Sequence, residues 1–383
     1  MKITDMRVSV HSYASPRVVG FPPDGKIGVL TIETDEGVTG HTFLADQLSI
    51  GPGVDALAKQ IMSVVKPRLL GRDPLDIGAI WNELRALSRC LHHSIQGYVD
   101  ITLWDIAGKS VGLPVHRLLG TCREKIPTYA SSWALPDAGA YVEEALAYQE
   151  MGIQAYKLHP PSFSNFHTGR SDSSLRADIG ACEAVRDAVG SEMTLMLDAG
   201  WQFKYPQALK LGLAVQDLDY YWYEDPLKAD DIVGYARLRA KLSIPILATE
   251  STDGGLFVYP SWILLKATDF LRGDVVIKGG ITGMMKIAHL AEAFGMNCEL
   301  HDAYSPTNQM ASLNVAMAIT NCEYFELLLP NEPGTYGFGF LSYGLEEPFR
   351  IDDQGCAHAP TLPGIGCRID WPLMRSTQLG VVS

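Results

Sequence analysis

Three apolar runs in this chain end on a carboxylate at a fixed interval. "LMLDAGW" reaches Asp198 before breaking on glycine, "YYWYEDP" stops at Glu224 and "IPILATES" at Glu250, with 26 residues from each acid to the next. Burying an unpaired carboxylate costs on the order of several kcal/mol, so acids that recur at one end of buried strands need a shared environment. One strand plus one returning helix accounts for the interval without any repeat of sequence. From Lys125 onward the β-rich runs are "IPTYASS", "IQAYKLH", "MTLMLDAG", "YYWYED", "IPILATE", "DVVIKGG", "NCELHD" and "EYFELLL", separated by helix-forming stretches such as "DAGAYVEEALAYQEMG". Eight such units close a parallel barrel, an α/β fold. Its C-terminal strand ends form one rim, where Asp198, Glu224 and Glu250 stand side by side at the ends of strands three, four and five.

At 383 residues the chain exceeds what one core usually holds, about 250–300 residues, so a second domain is expected ahead of Lys125. There "ITDMRVSVHSY" and "VLTIETDEGVTGHTFL" read as strands, with Asp35-Glu36-Gly37 at a hairpin turn. Leu57, Ile61, Val64 and Val65 fall at helical spacing, and "DITLWDIAGKSVGLPVHRLLG" reads as helix closed by glycine and proline. A formal net charge of −13 and a pI near 5.2, with no lysine- or arginine-rich block, argue against nucleic-acid and anionic-membrane partners. Seven cysteines stand singly with no CxxC pair, as suits reduced thiols. The start "MKITDMRVSV" lacks an apolar signal region, and no apolar run approaches the roughly 20 residues of a membrane span. A cytoplasmic protein is expected.

Carboxylates converging at a barrel mouth repel one another unless a cation sits among them. Hard oxygen ligands suit Mg²⁺ or Mn²⁺, which keep positions open for water and substrate oxygens. Taken singly, each acid could instead pair with a local lysine, arginine or backbone amide; the shared strand-end position and interval favour the metal. The other strand ends are as polar. "YKLHP" carries Lys157 and His159 in alternation, so both side chains point to one side while Leu158 faces away. Asp274, His301 and Glu326 follow on strands six, seven and eight. A lysine or histidine there could take a proton from carbon, although alone either is more often a solvated or satisfied side chain.

The series "AYKLH", "LMLDAGW", "YWYEDP", "ILATE", "GDVVIKGGITG" and "CELHD", preceded by "DITLWDIAGKSVGLPVHRLLG", resembles the enolase superfamily over about residues 1–370. Within it the likeness is to the mandelate racemase/muconate lactonizing enzyme-like acid-sugar dehydratases. The resemblance implies an N-terminal α+β capping domain over 1–124, a modified (β/α)7-8 TIM-like barrel over 125–350, and a segment 351–383 packing back on the cap. It implies that Asp198, Glu224 and Glu250 are magnesium ligands and that Asp274 and His301 form an Asp–His dyad. Glu326 matches an acid that hydrogen-bonds a substrate carboxylate oxygen in relatives, for which it would have to be protonated. Lys157 and His159 occupy the family's Lys-x-Lys position, so the usual second lysine, the base in relatives, is a histidine here. Two other departures are Thr249, where a glycine is usual, and Lys278 before the Gly279–Gly280 pair.

The implied activity is removal of the proton alpha to a carboxylate of a sugar acid, then loss of water to a 2-keto-3-deoxy acid. The resulting dianion is stabilised by Mg²⁺ with Lys157 and Glu326 as helpers. His159 is the first choice for the base and His301 for the acid, with the roles exchangeable. Segments of the cap close over the mouth in this family, which makes "HSYASPRVVGFPPDG" and "HTFLADQ" lid pieces and Tyr13, Arg17 and His41 substrate contacts. Trp201 lines the pocket or the barrel core; His92 and His93 read as packing or capping residues. A racemase, epimerase or cycloisomerase on the same fold is the alternative, and a non-catalytic sugar-acid-binding barrel a further one. Relatives suggest a homo-oligomer, a dimer or octamer.

Overall fold

The computed structural model describes residues 1–14, 24–45, 53–163, 175–302, 305–331 and 334–383. β1 (Ile3–Ala14), β2 (Asp24–Thr34) and β3 (Thr39–Ala45) pair antiparallel, and the turn between the last two falls on Asp35-Glu36-Gly37 as the sequence predicts. Gly37 sits there at φ 77°, which costs little only without a Cβ. Alternation splits the sheet into two faces. Val8, Leu30, Ile32 and Leu44 join the core with the helices that follow, among them Ile77–Ala86 and His93–Val111. Ile27, Val29 and Phe43 pack instead on Ile369 and Met374 near the end of the chain.

The barrel strands are β4 (Lys125–Ser131), β5 (Ala155–Leu158), β6 (Thr194–Asp198), β7 (Tyr223–Glu224), β8 (Ile246–Ala248), β9 (Phe270–Asp274), β10 (Cys298–His301) and β11 (Phe325–Leu328). They lie in the order β10-β9-β8-β7-β6-β5-β4-β11, all parallel, with no ladder joining β10 to β11 among the described residues. This is the near-closed barrel with a separate N-terminal domain that the strand-end acids imply. β12 (Cys356–His358) adds antiparallel to β4, and β13 (Gln378–Val382) returns to β1. No helix among the described residues is long and apolar enough to cross a membrane.

One strand is displaced from its expected place. The run "DVVIKGG" is not the sixth strand: the ladder covers Phe270–Asp274, and Asp274 is its last residue. The Asp274 carboxylate accepts from Val276 N at 2.6 Å and Ile277 N at 3.3 Å, and Gly279 and Gly280 both take φ 83° to enter the helix Gly280–Ala293. A side-chain-to-backbone turn thus overrides the strand preference of Val-Val-Ile. The shift draws Arg272 into the strand, on the same inward face as Asp274.

Below the rim the barrel is filled by Tyr129, Ala155, Met196, Trp222 and Leu247. Glu299 is buried on β10, accepting from Glu323 N at 3.1 Å and Asn297 Nδ2 at 3.0 Å. Burial pushes its carboxyl up to about 7, Asp100 up to about 7 and Glu144 up to about 8. Each holds its proton more tightly folded than unfolded, so its contribution is complete below the ordinary carboxylate pKa and is lost as pH rises toward those values. Stability should therefore fall between about pH 5 and 8, by up to about 1.4 kcal/mol per pH unit for each group. Thermal melts of Glu299→Gln should show a shallower decline than the native chain; identical slopes would exclude Glu299 as a contributor.

Candidate active site

Register brings the polar side chains together. Asp198 pairs with Glu224 across β6 and β7, and Asp274 with His301 across β9 and β10. Lys157, wholly buried on β5, places its ammonium 2.9 Å from Glu224 Oε2, 2.9 Å from Glu326 Oε1 and 3.5 Å from Asp198 Oδ2. Burial and Arg272 oppose its charge, but Glu224 and Glu326 outweigh them and hold the ammonium well above the usual lysine range. His159 follows β5. Its Nδ1 lies 2.7 Å from the Ser132 carbonyl oxygen and its Nε2 3.0 Å from Asp198 Oδ2. A carbonyl only accepts, so Nδ1 carries a proton and Nε2 is the nitrogen presented to the acids.

Arg272 was not foreseen. Its guanidinium, buried inside the barrel, pairs with Glu224, reaches Glu326 Oε2 at 2.5 Å and Glu250 Oε2 at 3.4 Å, and donates to the Leu300 carbonyl at 3.2 Å. The available signal was alternation with Asp274 in "FLRGD", which the misplaced sixth strand hid. Glu326 consequently lies between two cations and also accepts from Asp302 N at 3.1 Å. Burial pushes its carboxyl up, but Arg272 and Lys157 reverse this and hold it well below the usual range. Glu326 is an anion here, so it does not supply the donated hydrogen bond that the resemblance implied.

Oxygens of Glu224, Asp225 and Glu250 lie within 4.8 Å of one another, all three residues being buried. Asp225 also escaped the sequence reading, because strict alternation would turn it away from Glu224; a φ of 40° brings it back. Its Oδ2 has no hydrogen-bond partner among the described residues, and burial together with the charges of Glu250 and Glu224 raises its carboxyl well above the usual range. Asp198 stands outside this trio. Its Oδ1 accepts from Gly200 N at 2.9 Å while Oδ2 faces His159 and Lys157. Burial raises its carboxyl, yet His159 and Lys157 more than reverse that and hold it well below the usual range. A crowded set of hard oxygens with one orphaned carboxylate oxygen fits a small divalent cation.

Thr249 explains the glycine usual before the fifth-strand acid. It takes φ 92°, a conformation that a β-branched residue rarely adopts and that costs about 1–3 kcal/mol. Its hydroxyl donates to the Arg272 carbonyl at 2.9 Å and accepts from Arg272 N at 3.0 Å. These bonds tie the strained residue to β9 and aim Glu250 inward. On the far side of Glu250, His301 Nε2 lies 3.5 Å from Glu250 Oε1 and Nδ1 lies 3.0 Å from Asp274 Oδ2. Burial would lower its pKa, but Glu250 and the Asp274 hydrogen bond raise it to about 9, making it an imidazolium at neutral pH.

The expected substrate contacts are scattered. Tyr13 packs edge-on against Tyr343 at 4.5 Å between ring centroids, and His41 against Trp371 at 5.0 Å, on the face of the first sheet that the end of the chain covers. Arg17 lies outside the described residues. Trp201 follows Asp198 and donates its backbone N–H to the Asp225 carbonyl at 2.7 Å, beside the acids.

A parallel barrel with buried acids, a lysine and two histidines at its C-terminal strand ends is the layout of a barrel enzyme. Residues 140–373 match the family described as enolase C-terminal domain-like, and residues 8–120 the mandelate racemase / muconate lactonizing enzyme N-terminal domain. The chain belongs to the enolase superfamily, in its mandelate racemase and muconate lactonizing enzyme branch, and is an enzyme. The D-galactonate dehydratase of Variovorax paradoxus is 30% identical over 89% of this chain and 88% of its own. The L-talarate/galactarate dehydratase of Salmonella typhimurium is 32% identical over 72% of this chain and 67% of its own. The crystal structure of D-glucarate dehydratase from Agrobacterium tumefaciens complexed with magnesium superposes with a TM-score of 0.87 at 30% identity, covering 99% of this chain and 100% of that one.

Replacing Arg272 by methionine would leave Glu224, Glu250 and Glu326 without their shared cation. Removing one partner of a buried pair destabilises by about 3–5 kcal/mol. R272M should melt at a lower temperature, and added Mg²⁺ should raise its melting point more than that of the native chain. An unchanged melting temperature would show the guanidinium to be dispensable.

Proposed function

We propose that the protein is a Mg²⁺-dependent hydro-lyase that converts a hydroxylated sugar acid into a 2-keto-3-deoxy acid. The observation that carries this reading is the pair of histidines flanking the acids. One is pinned by the Ser132 carbonyl with Nε2 turned inward, and the other is kept protonated by Asp274 and Glu250. The dehydratase relatives support it at the level of reaction type.

Glu224 and Glu250, with Asp198 or Asp225 as a further oxygen donor, would hold the ion. When bound, it offsets the two negative charges that build on the substrate carboxylate oxygens. In its neutral form, with Nε2 free of the proton it otherwise shares with Asp198, His159 takes the alpha proton there, and Lys157 presents its charge to the same carboxylate. His301 gives its proton to the β-hydroxyl as the C–O bond breaks, so the group leaves as water, and the enol left behind tautomerises to the keto acid. Asp274 keeps the His301 ring oriented and Glu326 anchors Lys157 and Arg272. Base and acid from two strands would equally serve proton exchange at either face of one carbon, which keeps a racemase or epimerase as the second reading. The seven free thiols suit a reducing compartment, the cytoplasm.

A sugar-acid library with semicarbazide detection of keto acids, run with and without EDTA, tests the reaction. A metal-dependent keto acid is expected, and product that survives complete metal removal would sink the mechanism. In D₂O the recovered substrate should stay unlabelled; deuterium in it with no keto acid would favour epimerisation. His301→Asn should fold normally and lose about 10²–10⁴ in turnover; near-native turnover would remove His301 from the mechanism.

A further inference from the structure

The motif "DITLWDIAGKSVGLPVHRLLG" carries none of the rim side chains, yet its first residue, Asp100, reaches the turn that follows Asp274. Asp100 lies on the helix His93–Val111 and is 2% exposed. Its Oδ2 accepts from Thr282 N at 2.9 Å, in the first turn of the helix Gly280–Ala293. That is an amide which the side chain of an N-cap residue would ordinarily take, and Gly279, which stands at the N-cap, has none to offer. The capping domain supplies the acceptor instead. Gly280 makes room for it, since a Cβ there would lie 2.2 Å from Asp100 Oδ2.

Two further contacts from the same domain hold this turn. Trp81, on the helix Ile77–Ala86, donates through Nε1 to the Gly279 carbonyl at 2.6 Å, and Gln96 donates to the Trp81 carbonyl at 2.9 Å, which ties the two helices together. Trp104 donates through Nε1 to the Thr282 hydroxyl at 3.0 Å. Within the turn, Val276 and Ile277 give their N–H groups to Asp274 Oδ1, which leaves Oδ2 for His301 Nδ1 at 3.0 Å. One carboxylate thus serves two masters. A turn that moves takes the carboxylate, and with it the imidazole, along.

We propose that Asp100 is a positioning residue for His301. With Trp81 it grips the turn after β9 from the capping domain, and the grip passes through Asp274 to the imidazole. The inference rests on the dehydratase reading, in which His301 gives its proton to the departing hydroxyl. A general acid must stand within hydrogen-bond reach of the atom it protonates. Misalignment slows that step without weakening the binding of substrate.

Asp100→Ala removes the acceptor, Trp81→Phe removes the second anchor but keeps a ring, and Asp100→Asn keeps an acceptor for Thr282 N. Turnover is measured in D₂O with Mg²⁺, on the sugar acid that the native chain converts fastest to keto acid. Asp100→Ala and Trp81→Phe should each lose about 10–10²-fold in kcat with little change in KM. Deuterium should then enter the recovered substrate, because His159 still exchanges the alpha proton while elimination stalls. Asp100→Asn should recover most of the turnover. A second readout needs no reaction: in ¹⁵N-histidine-labelled protein, the Nδ1–H resonance of His301 is assigned by its loss in His301→Asn. It should shift or broaden in Asp100→Ala and Trp81→Phe and return in Asp100→Asn. An unmoved resonance in both variants, near-native kcat in both, or keto-acid formation and deuterium exchange falling together overturns the inference. If the native chain makes no keto acid from any sugar acid, the dehydratase reading fails, and the His301 resonance alone decides whether Asp100 holds the ring.

Discussion

Five carboxylates enclosed at one end of a barrel are the fact around which the rest of the structure is arranged. Asp198, Glu224, Asp225, Glu250 and Glu326 are all buried. Two unit charges of like sign about 4 Å apart repel by about 4 kcal/mol at an effective dielectric near 20, and desolvation adds to that. Lys157 and Arg272 meet this repulsion by bridging: Glu224 and Glu326 each touch both cations. A divalent ion would answer for part of the rest: burial and the charges of Glu250 and Glu224 raise the Asp225 carboxyl, and its Oδ2 has no hydrogen-bond partner among the described residues.

The same repulsion sets where strain is tolerated. Asp225 and Thr249, adjacent to Glu224 and Glu250, both take positive φ. Each is bound into the frame, Asp225 through the Tyr235 hydroxyl at 3.3 Å and Thr249 through β9. Helix packing supports them from outside. Gly97 lets the helix His93–Val111 approach the turn after β9 so closely that a Cβ would lie 2.1 Å from the Val276 carbonyl oxygen. The capping domain is thereby fixed against the turn that follows Asp274, and the cleft beside Lys278 opens along the same seam.

Much of the site was legible in the sequence because a strand end is a one-dimensional signal. An apolar run that stops on an acid, at an interval suited to one βα unit, gave Asp198, Glu224 and Glu250 their places, and alternation put Lys157 and His159 on one side. What alternation could not show is what φ > 0 does: it returns Asp225 to the face that Glu224 occupies. Nor could β propensity locate the sixth strand, since Val-Val-Ile is as β-prone as the true ladder and only the Asp274 cap on the following amides breaks it. Missing that register hid Arg272, and without Arg272 the ionised state of Glu326 had no visible cause. Tyr13 and His41 were read from the lid segments that the resemblance implied, and a segment's place in the chain carries no side-chain direction; their partners, Tyr343 and Trp371, come from more than 300 residues downstream.

The sequence by itself determined the barrel, its capping domain, the family and the ring of polar strand ends, because hydrophobic period and turn chemistry act locally and are written in order along the chain. Tertiary structure alone decided the charge state of each group on that ring and the direction in which each acid points. Those depend on which cation from a distant strand arrives within about 3 Å, a distance set only when all eight strands close on one another.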